Sequence, residues 1–231
     1  MIRYISQFMR GDMEFLELVI LVGSICFVVF CATPLHEFAH AFVAVKLGDD
    51  TPRLRGRLTI NPMAHIDIWG AAMIFLCGFG YAKPVEVRMR HFKKPKRDMA
   101  IVALAGPACN LLQSFIFLFL KAACSFAAYK LGSEVMAYMG IFFLYAAVIN
   151  VNLGVFNLLP IPPLDGSRLA TALLPSKYYY KIMQYERYII YGLFALLLFT
   201  DILDAPLSFL SSLILGLFSN ITQIPFEMMM R

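Results

Sequence analysis

Apolar residues in this chain gather into long runs separated by short polar or basic stretches, instead of recurring at the spacing of a half-buried helix or strand. Crossing the hydrocarbon core of a bilayer takes roughly 20 mostly apolar residues in a helix. Leu16 to Val45 meets that length, although it carries a polar island, His36-Glu37-Phe38-Ala39-His40. Met99 to Leu120 forms a clean span between Asp98 and Lys121. Val135 to Leu164 is longer and holds Asn150, Asn152, Asn157 and Pro160. Ile68 to Ala82, bounded by Asp67 and Lys83 and interrupted by Gly70, Gly78 and Gly80, is too short to cross comfortably. Tyr188–Thr200 and Ala205–Phe226 supply one or two further spans.

Charge then sets the orientation. Lys46, Arg53, Arg55 and Arg57 follow the first span, and Lys83, Arg88, Arg90, Lys93, Lys94, Lys96 and Arg97 precede the Met99 span. Basic loops favour the cytoplasmic side of a membrane. A full crossing between the two segments would put them on opposite sides, so Ile68–Ala82 is predicted to be a re-entrant hairpin, shielded by protein or a water-filled cavity. Polar and apolar or small residues alternate through Arg53–Ile60 and again through Pro84–Arg90. A period of two is the pattern of half-buried strands, and it predicts a small sheet at the membrane surface. The expected architecture is an all-α polytopic membrane protein: a helical bundle with a re-entrant hairpin and a small membrane-surface β-sheet. It is expected to form one domain over 1–231, with a core over about 16–187 and the C-terminal spans within 188–226.

Composition agrees with the pattern. Hydrophobic residues make up 60% of the 231 and charged residues 15%, against about 25% charged in a soluble domain. One water-soluble core cannot hide that much apolar surface. The net charge of +5 does not point to nucleic acid, because the basic residues lie between apolar runs; lipid is the expected partner. Five cysteines at irregular spacing, without a CxxC pair, argue against a disulfide framework and a thiolate metal site. The N-terminal apolar run outlasts a signal-peptide core and shows no A-x-A-like cleavage site.

The polar island carries the strongest chemical signal. In His36-Glu37-x-x-His40 the two histidines stand four apart, on one face of a helix, where both imidazoles can reach one ion. Glu37 sits in the same turn, placed to meet a metal-bound water. Two histidines and a carboxylate inside a span are costly and mark a functional site by default. A catalytic zinc takes three protein ligands, and His65, His91, Asp67 and Asp165 are candidates for the third. His91 lies in a basic, solvated segment. Asp165 stands out because Pro160, Pro162 and Pro163 break the preceding span and Gly166 lets the chain turn beside it. From a cytoplasmic Lys46, His40 lies about 9 Å and His36 about 15 Å up the helix. The Val135 span returns Asp165 to the same face.

These residues resemble the site-2 protease family of intramembrane zinc metalloproteases, peptidase family M50, in its short bacterial form. The resemblance rests on His36-Glu37-x-x-His40 and Asn157-x-x-Pro160-x-x-x-x-Asp165-Gly166. Asn61-Pro62-x-x-His65-Ile66-Asp67, Ala82-Lys83-Pro84-Val85 and Ala105-Gly106-Pro107-x-x-Asn110 are further marks, and the likeness runs from about Ala32 to Leu169. It implies one Zn2+ per chain on His36, His40 and Asp165, with Glu37 as catalytic acid/base and substrates that span the membrane. It also implies a role for Asn157 in positioning substrate or stabilising the oxyanion, and places Asn110 as a substrate-positioning candidate. His65 is expected to organise its loop or support the site. The expected location is a bacterial cell membrane, multi-pass, with the active site near the cytoplasmic face. An extended substrate is expected to lie along the segment after Lys83. The rival reading is a metal-transport or metal-binding membrane protein, against which Glu37 argues, since transport needs no carboxylate beside a metal-bound water.

Overall fold

The computed structural model describes residue 10 and residues 14–77, 83–173 and 184–230. Helix α1 (Phe15–Phe27) passes through a widened turn, Val28–Ala32, into α2 (Thr33–Lys46), making one continuous apolar stretch. The widened turn has a local cause. Pro34 has no amide to donate to Phe30, and its ring crowds that carbonyl; loosening the ladder to i→i+5 bonds relieves both problems. The Thr33 hydroxyl donates to Val28 O at 3.2 Å within this turn.

Three short helices follow: α3 (Thr51–Leu54), α4 (Pro62–His65) and α5 (Ile68–Cys77). A single 3-10 turn, Met89–His91, precedes the 37-residue α6 (Pro95–Leu131). The Gly132-Ser133 turn reverses the chain, with Ser133 Oγ accepting from Met136 N–H, and α7 (Glu134–Asn157) runs back beside α6. Pro160, Pro162 and Pro163 prevent α7 from continuing, and α8 (Asp165–Leu173) starts afresh. Helices α9 (Glu186–Phe199) and α10 (Asp204–Met230) complete the described chain. Among the described residues four helical stretches are long and apolar enough to cross a membrane: Phe15–Lys46, α6, α7 and α10. The protein is an all-α integral membrane protein. The 14-residue α9 falls short of that length.

Two expectations need correction. No strand forms among the described residues, so the predicted sheet is absent there. In the first alternating segment, local helix signals prevail over the period of two. Pro52 sits at the start of α3, where its missing amide costs nothing. Arg55 N–H and Arg57 N–H then close the turn onto Thr51 O and Pro52 O at 3.0 and 2.8 Å. The second segment, 83–88, forms no regular element: Arg88 is extended (φ −108°, ψ 102°), but the segment has no ladder partner among the described residues. Its anchors are Lys83 N–H on His65 O and Arg88 N–H on the Asp49 carboxylate, both 2.7 Å. Arg55 and Glu86 meet at 3.6 Å across the two segments, an exposed pair of little energetic weight.

The re-entrant hairpin is also unsupported. The described part of Ile68–Ala82 is one unbroken helix, α5, and residues 78–82 lie outside the described residues. Asp67 explains the clean start, since its carboxylate accepts Trp69 N–H and Gly70 N–H at 3.0 Å each. Gly70 therefore falls in a capped first turn instead of breaking the chain.

The bundle packs around small residues. Val28, Ala32, Phe117, Leu118, Ala146 and Ala147 form its buried centre. Apolar tails of lipid remove the usual hydrophobic drive between helices, so close backbone approach and buried hydrogen bonds must hold them together. Ser114 Oγ donates to Ala147 O at 3.0 Å across the α6–α7 contact, and the Ser24 hydroxyl is shared between Ile20 O at 2.8 Å and Phe142 O at 3.1 Å. Large apolar side chains such as Leu112, Ile116, Phe119 and Val135 face outward, where hydrocarbon replaces water. Enlarging the fully buried Ala147 to Leu is expected to destabilise the bundle by about 1–3 kcal/mol. Ser114→Ala should cost only about 0.6 kcal/mol, because the reference state also finds partners. Reversible unfolding in bicelles checks the order; equal losses would contradict this packing.

Candidate metal centre

Helix α2 puts His36 and His40 one turn apart, and their ring centroids lie 4.7 Å from each other. Both are buried, at 7% and 6% exposure. Asp165, at the first position of α8, reaches them from the other side of the bundle. His40 Nε2 lies 3.1 Å from His36 Nε2 and 3.1 Å from Asp165 Oδ2, and His36 Nε2 lies 3.3 Å from the same oxygen. Ligands about 2.0–2.1 Å from a tetrahedral ion stand about 3.3 Å apart. The three atoms already have that spacing.

The protonation pattern supports a cation there. His40 Nδ1 is 2.7 Å from Val102 O on α6 and donates to it. In the neutral ring this leaves a lone pair on Nε2, facing another imidazole nitrogen and a carboxylate oxygen. Two ring nitrogens and a carboxylate oxygen, turned toward one another in a buried site, repel unless a cation or protons sit among them. The donor set suits zinc, which takes imidazole nitrogen and carboxylate oxygen readily. Among the described residues, His36, His40 and Asp165 are the group of three with ligand atoms close enough to share one ion.

A residue without a side chain makes room for the centre. Gly106 on α6 lies so close that a Cβ there would collide with both imidazoles. Gly166 plays a parallel part beside Asp165, since a Cβ there would run into the Leu158 carbonyl.

A cavity of about 460 Å³ opens onto the three ligands. Glu37, half-buried, lines it one residue from His36. Asn157 and Asn110 line it too, in different states. Asn157 Nδ2 donates to Leu153 O at 2.9 Å, which fixes the amide one turn back along α7. Asn110 is 2% exposed, and its Oδ1 has no hydrogen-bond partner among the described residues. Pro84, Val85 and Val87 form part of the wall, and Leu193 and Phe194 of α9 form another. Asp67 and Arg168 bring charge to a largely apolar cavity.

His65 lies apart from the ligand group. It is fully buried, with Nε2 2.8 Å from Thr59 O. The Arg57 guanidinium donates to Ala64 O, and Asn61 Oδ1 accepts Met63 N–H at 3.1 Å. These contacts fold the 59–65 loop that leads into Ile66 and Asp67 at the cavity. His91, another ligand candidate, pairs instead with Asp49 at 2.7 Å. Sequence reasoning missed the contributions of Val102 and Gly106. A glycine-proline pair inside a span was the available hint for Gly106; nothing in the sequence singles out the carbonyl of Val102.

A membrane-embedded centre of two histidines and one carboxylate, with a further glutamate beside it, defines a zinc metalloprotease class of site. Comparison with known proteins agrees. The family model described as Peptidase family M50 matches residues 24–200, and the chain belongs to that family. YwhC of Bacillus subtilis is 42% identical over 154 residues, covering 67% of this chain and 70% of that protein. Rip2 of Mycolicibacterium smegmatis is 35% identical over 137 residues, covering 57% of this chain but only 50% of its own length. Both names place their bearers among zinc metalloproteases. No solved structure matches the chain.

Gly106→Ala is expected to weaken zinc binding by about 10–100-fold or more, the scale seen when support around a ligand is lost, while helix content stays unchanged. Competitive chelator titration with circular dichroism measures both. Wild-type affinity in this variant would contradict the close approach of α6 to the imidazoles.

Proposed function

We propose that this protein hydrolyses peptide bonds in or near membrane-spanning segments of other membrane proteins. His36, His40 and Asp165 hold one zinc ion, and Glu37 acts as general base and then general acid. The observation that carries the reading is the convergence of three ligand atoms at 3.1–3.3 Å inside a cavity that Glu37 also lines.

Bound zinc supplies a Lewis acid that polarises the scissile carbonyl and brings the pKa of a water toward about 7. The chain's own groups do the rest. Glu37 takes a proton from the attacking water and returns it to the leaving amine nitrogen, so that one carboxylate serves both halves of the hydrolysis. His40 keeps its proton on Nδ1 through Val102 O, which holds Nε2 free for the ion. Asn157 is suited to steady the substrate carbonyl, and the unpaired Oδ1 of Asn110 to accept a substrate N–H. His65 organises the loop that brings Asp67 to the cavity.

A helical substrate hides its carbonyls in its own hydrogen bonds, so it must extend before it can be cut. The Pro84–Val87 stretch, which forms no helix and lines the cavity with the metal ligands, suits a substrate in that form. The basic segments that flank the site support an active site near the cytoplasmic face of a bacterial cell membrane. Lipid and membrane-spanning proteins are then the natural partners, and residues 1–231 act as one domain with a core over about 16–187. Metal transport is disfavoured, since family membership and Glu37 both point to hydrolysis.

Glu37→Gln tests the assignment. Zinc should remain at one per chain, while the cleavage rate of a single-span substrate in proteoliposomes falls by about 10²–10⁴-fold. Cleavage near the wild-type rate would remove Glu37 from the chemistry.

A further inference from the structure

Asp49 lies outside the metal site, yet it is fully buried and accepts four hydrogen bonds. Its Oδ1 receives the Thr51 amide at 3.0 Å, the Thr51 hydroxyl at 2.5 Å and His91 Nδ1 at 2.7 Å. Its Oδ2 receives the Arg88 amide at 2.7 Å. The Asp49 amide itself donates to Ala44 O at 3.0 Å, at the end of the helix that carries His36, Glu37 and His40. One residue thus ties the last turn of α2 to both ends of the 88–91 segment. Burial opposes a charge on this carboxyl, but the Arg88 amide, the Thr51 hydroxyl, the His91 ring and the Thr51 amide outweigh it, and the pKa lies below the usual carboxylate range. At neutral pH the acceptor is therefore ionised, and its bonds belong to the stronger, charge-assisted kind.

Just upstream of Arg88 lie Pro84, Val85 and Val87, which wall the metal cavity. Val87 also packs against Ala44, Phe92, Met99 and Val102, so the wall leans on the helices that bear and support the ligands. Buried Val85 and the packed Val87 hold the stretch by their side chains, while its backbone is held mainly at the ends. Among the described residues the amides of Val85, Glu86 and Val87 have no backbone partner, and the far end is fixed by Lys83 N–H on His65 O at 2.7 Å. Side-chain packing fixes the depth of such a segment, and pinned ends fix the line its backbone follows beside the cavity.

We propose that Asp49 is a positioning residue for the substrate: by clamping Arg88 and His91 to the end of α2, it holds Pro84–Val87 as the wall on which the substrate backbone is laid out. The proposal rests on the proteolytic reading and extends it to a residue that touches neither metal nor substrate.

Asp49→Asn tests it with almost no change of volume. An amide offers one acceptor oxygen where the carboxylate offers two, so either Arg88 N–H or the Thr51 and His91 donors must face an NH2 group. In the zinc-loaded full chain, hydrogen exchange at the Arg88 amide, which Asp49 accepts, should quicken at least tenfold. KM for a single-span substrate in proteoliposomes should rise at least tenfold, with kcat within twofold and zinc at one per chain. His91→Leu, at a partly exposed position, should shift KM the same way if Asp49→Asn fails to fold. His91→Asn keeps a donor near the Nδ1 position and should restore KM. Faster exchange with unchanged KM in both variants would overturn the proposal, as would a fall in kcat accompanied by loss of zinc. Absence of zinc-dependent cleavage by the wild type would instead defeat the proteolytic reading, while the exchange measurement still reports on the clamp.

Discussion

Two imidazole nitrogens and a carboxylate oxygen facing one another inside an apolar bundle are the constraint from which the rest follows. His36 Nε2, His40 Nε2 and Asp165 Oδ2 lie 3.1–3.3 Å from one another. Low-dielectric surroundings make that arrangement expensive unless a cation or protons join the group. Several features make sense only as its supports. Pro34 loosens the helix just before the histidines, Val102 O fixes the His40 proton, and the prolines after Asn157 free the chain to deliver Asp165. Gly106 gives up a side chain so that α6 can lie against both rings.

The spans and the meeting of His36, His40 and Asp165 are legible in the sequence because each depends on a strong local signal. A run of apolar residues near bilayer length has few alternatives to a spanning helix. A His-x-x-x-His spacing within such a run places two ligands on one face. Asp165 is 125 residues from His40, and it was found through local chemistry as well: three prolines and a glycine beside a carboxylate mark a break in a span. The β-sheet was misread for an equally physical reason. Alternation in Arg53–Ile60 gives a strand only when a partner supplies a ladder, and the Asp50-Thr51-Pro52 helix start acts locally and needs none. Residues 84–88 form no strand either, for want of a neighbouring strand among the described residues. Asp49 shows what sequence reading misses altogether. An aspartate in a loop looks solvated until the fold brings Arg88 and His91 to it.

Different parts of the fold supply the candidate ligands and the cavity wall. The ligands sit on α2 and α8, with α6 packed directly behind them, so the metal geometry is held by helices. Portions of the cavity wall come from the irregular 84–87 stretch and from α9.

The central claim is that one zinc ion is held by two imidazoles and one carboxylate, with no thiolate. X-ray absorption spectroscopy of the zinc-loaded protein in detergent measures this directly. The account predicts a first shell of nitrogen and oxygen alone at about 2.0–2.2 Å, lost when Asp165 is replaced by Ala together with His40. A sulfur shell at about 2.3 Å, or an unchanged spectrum in that double variant, would contradict it.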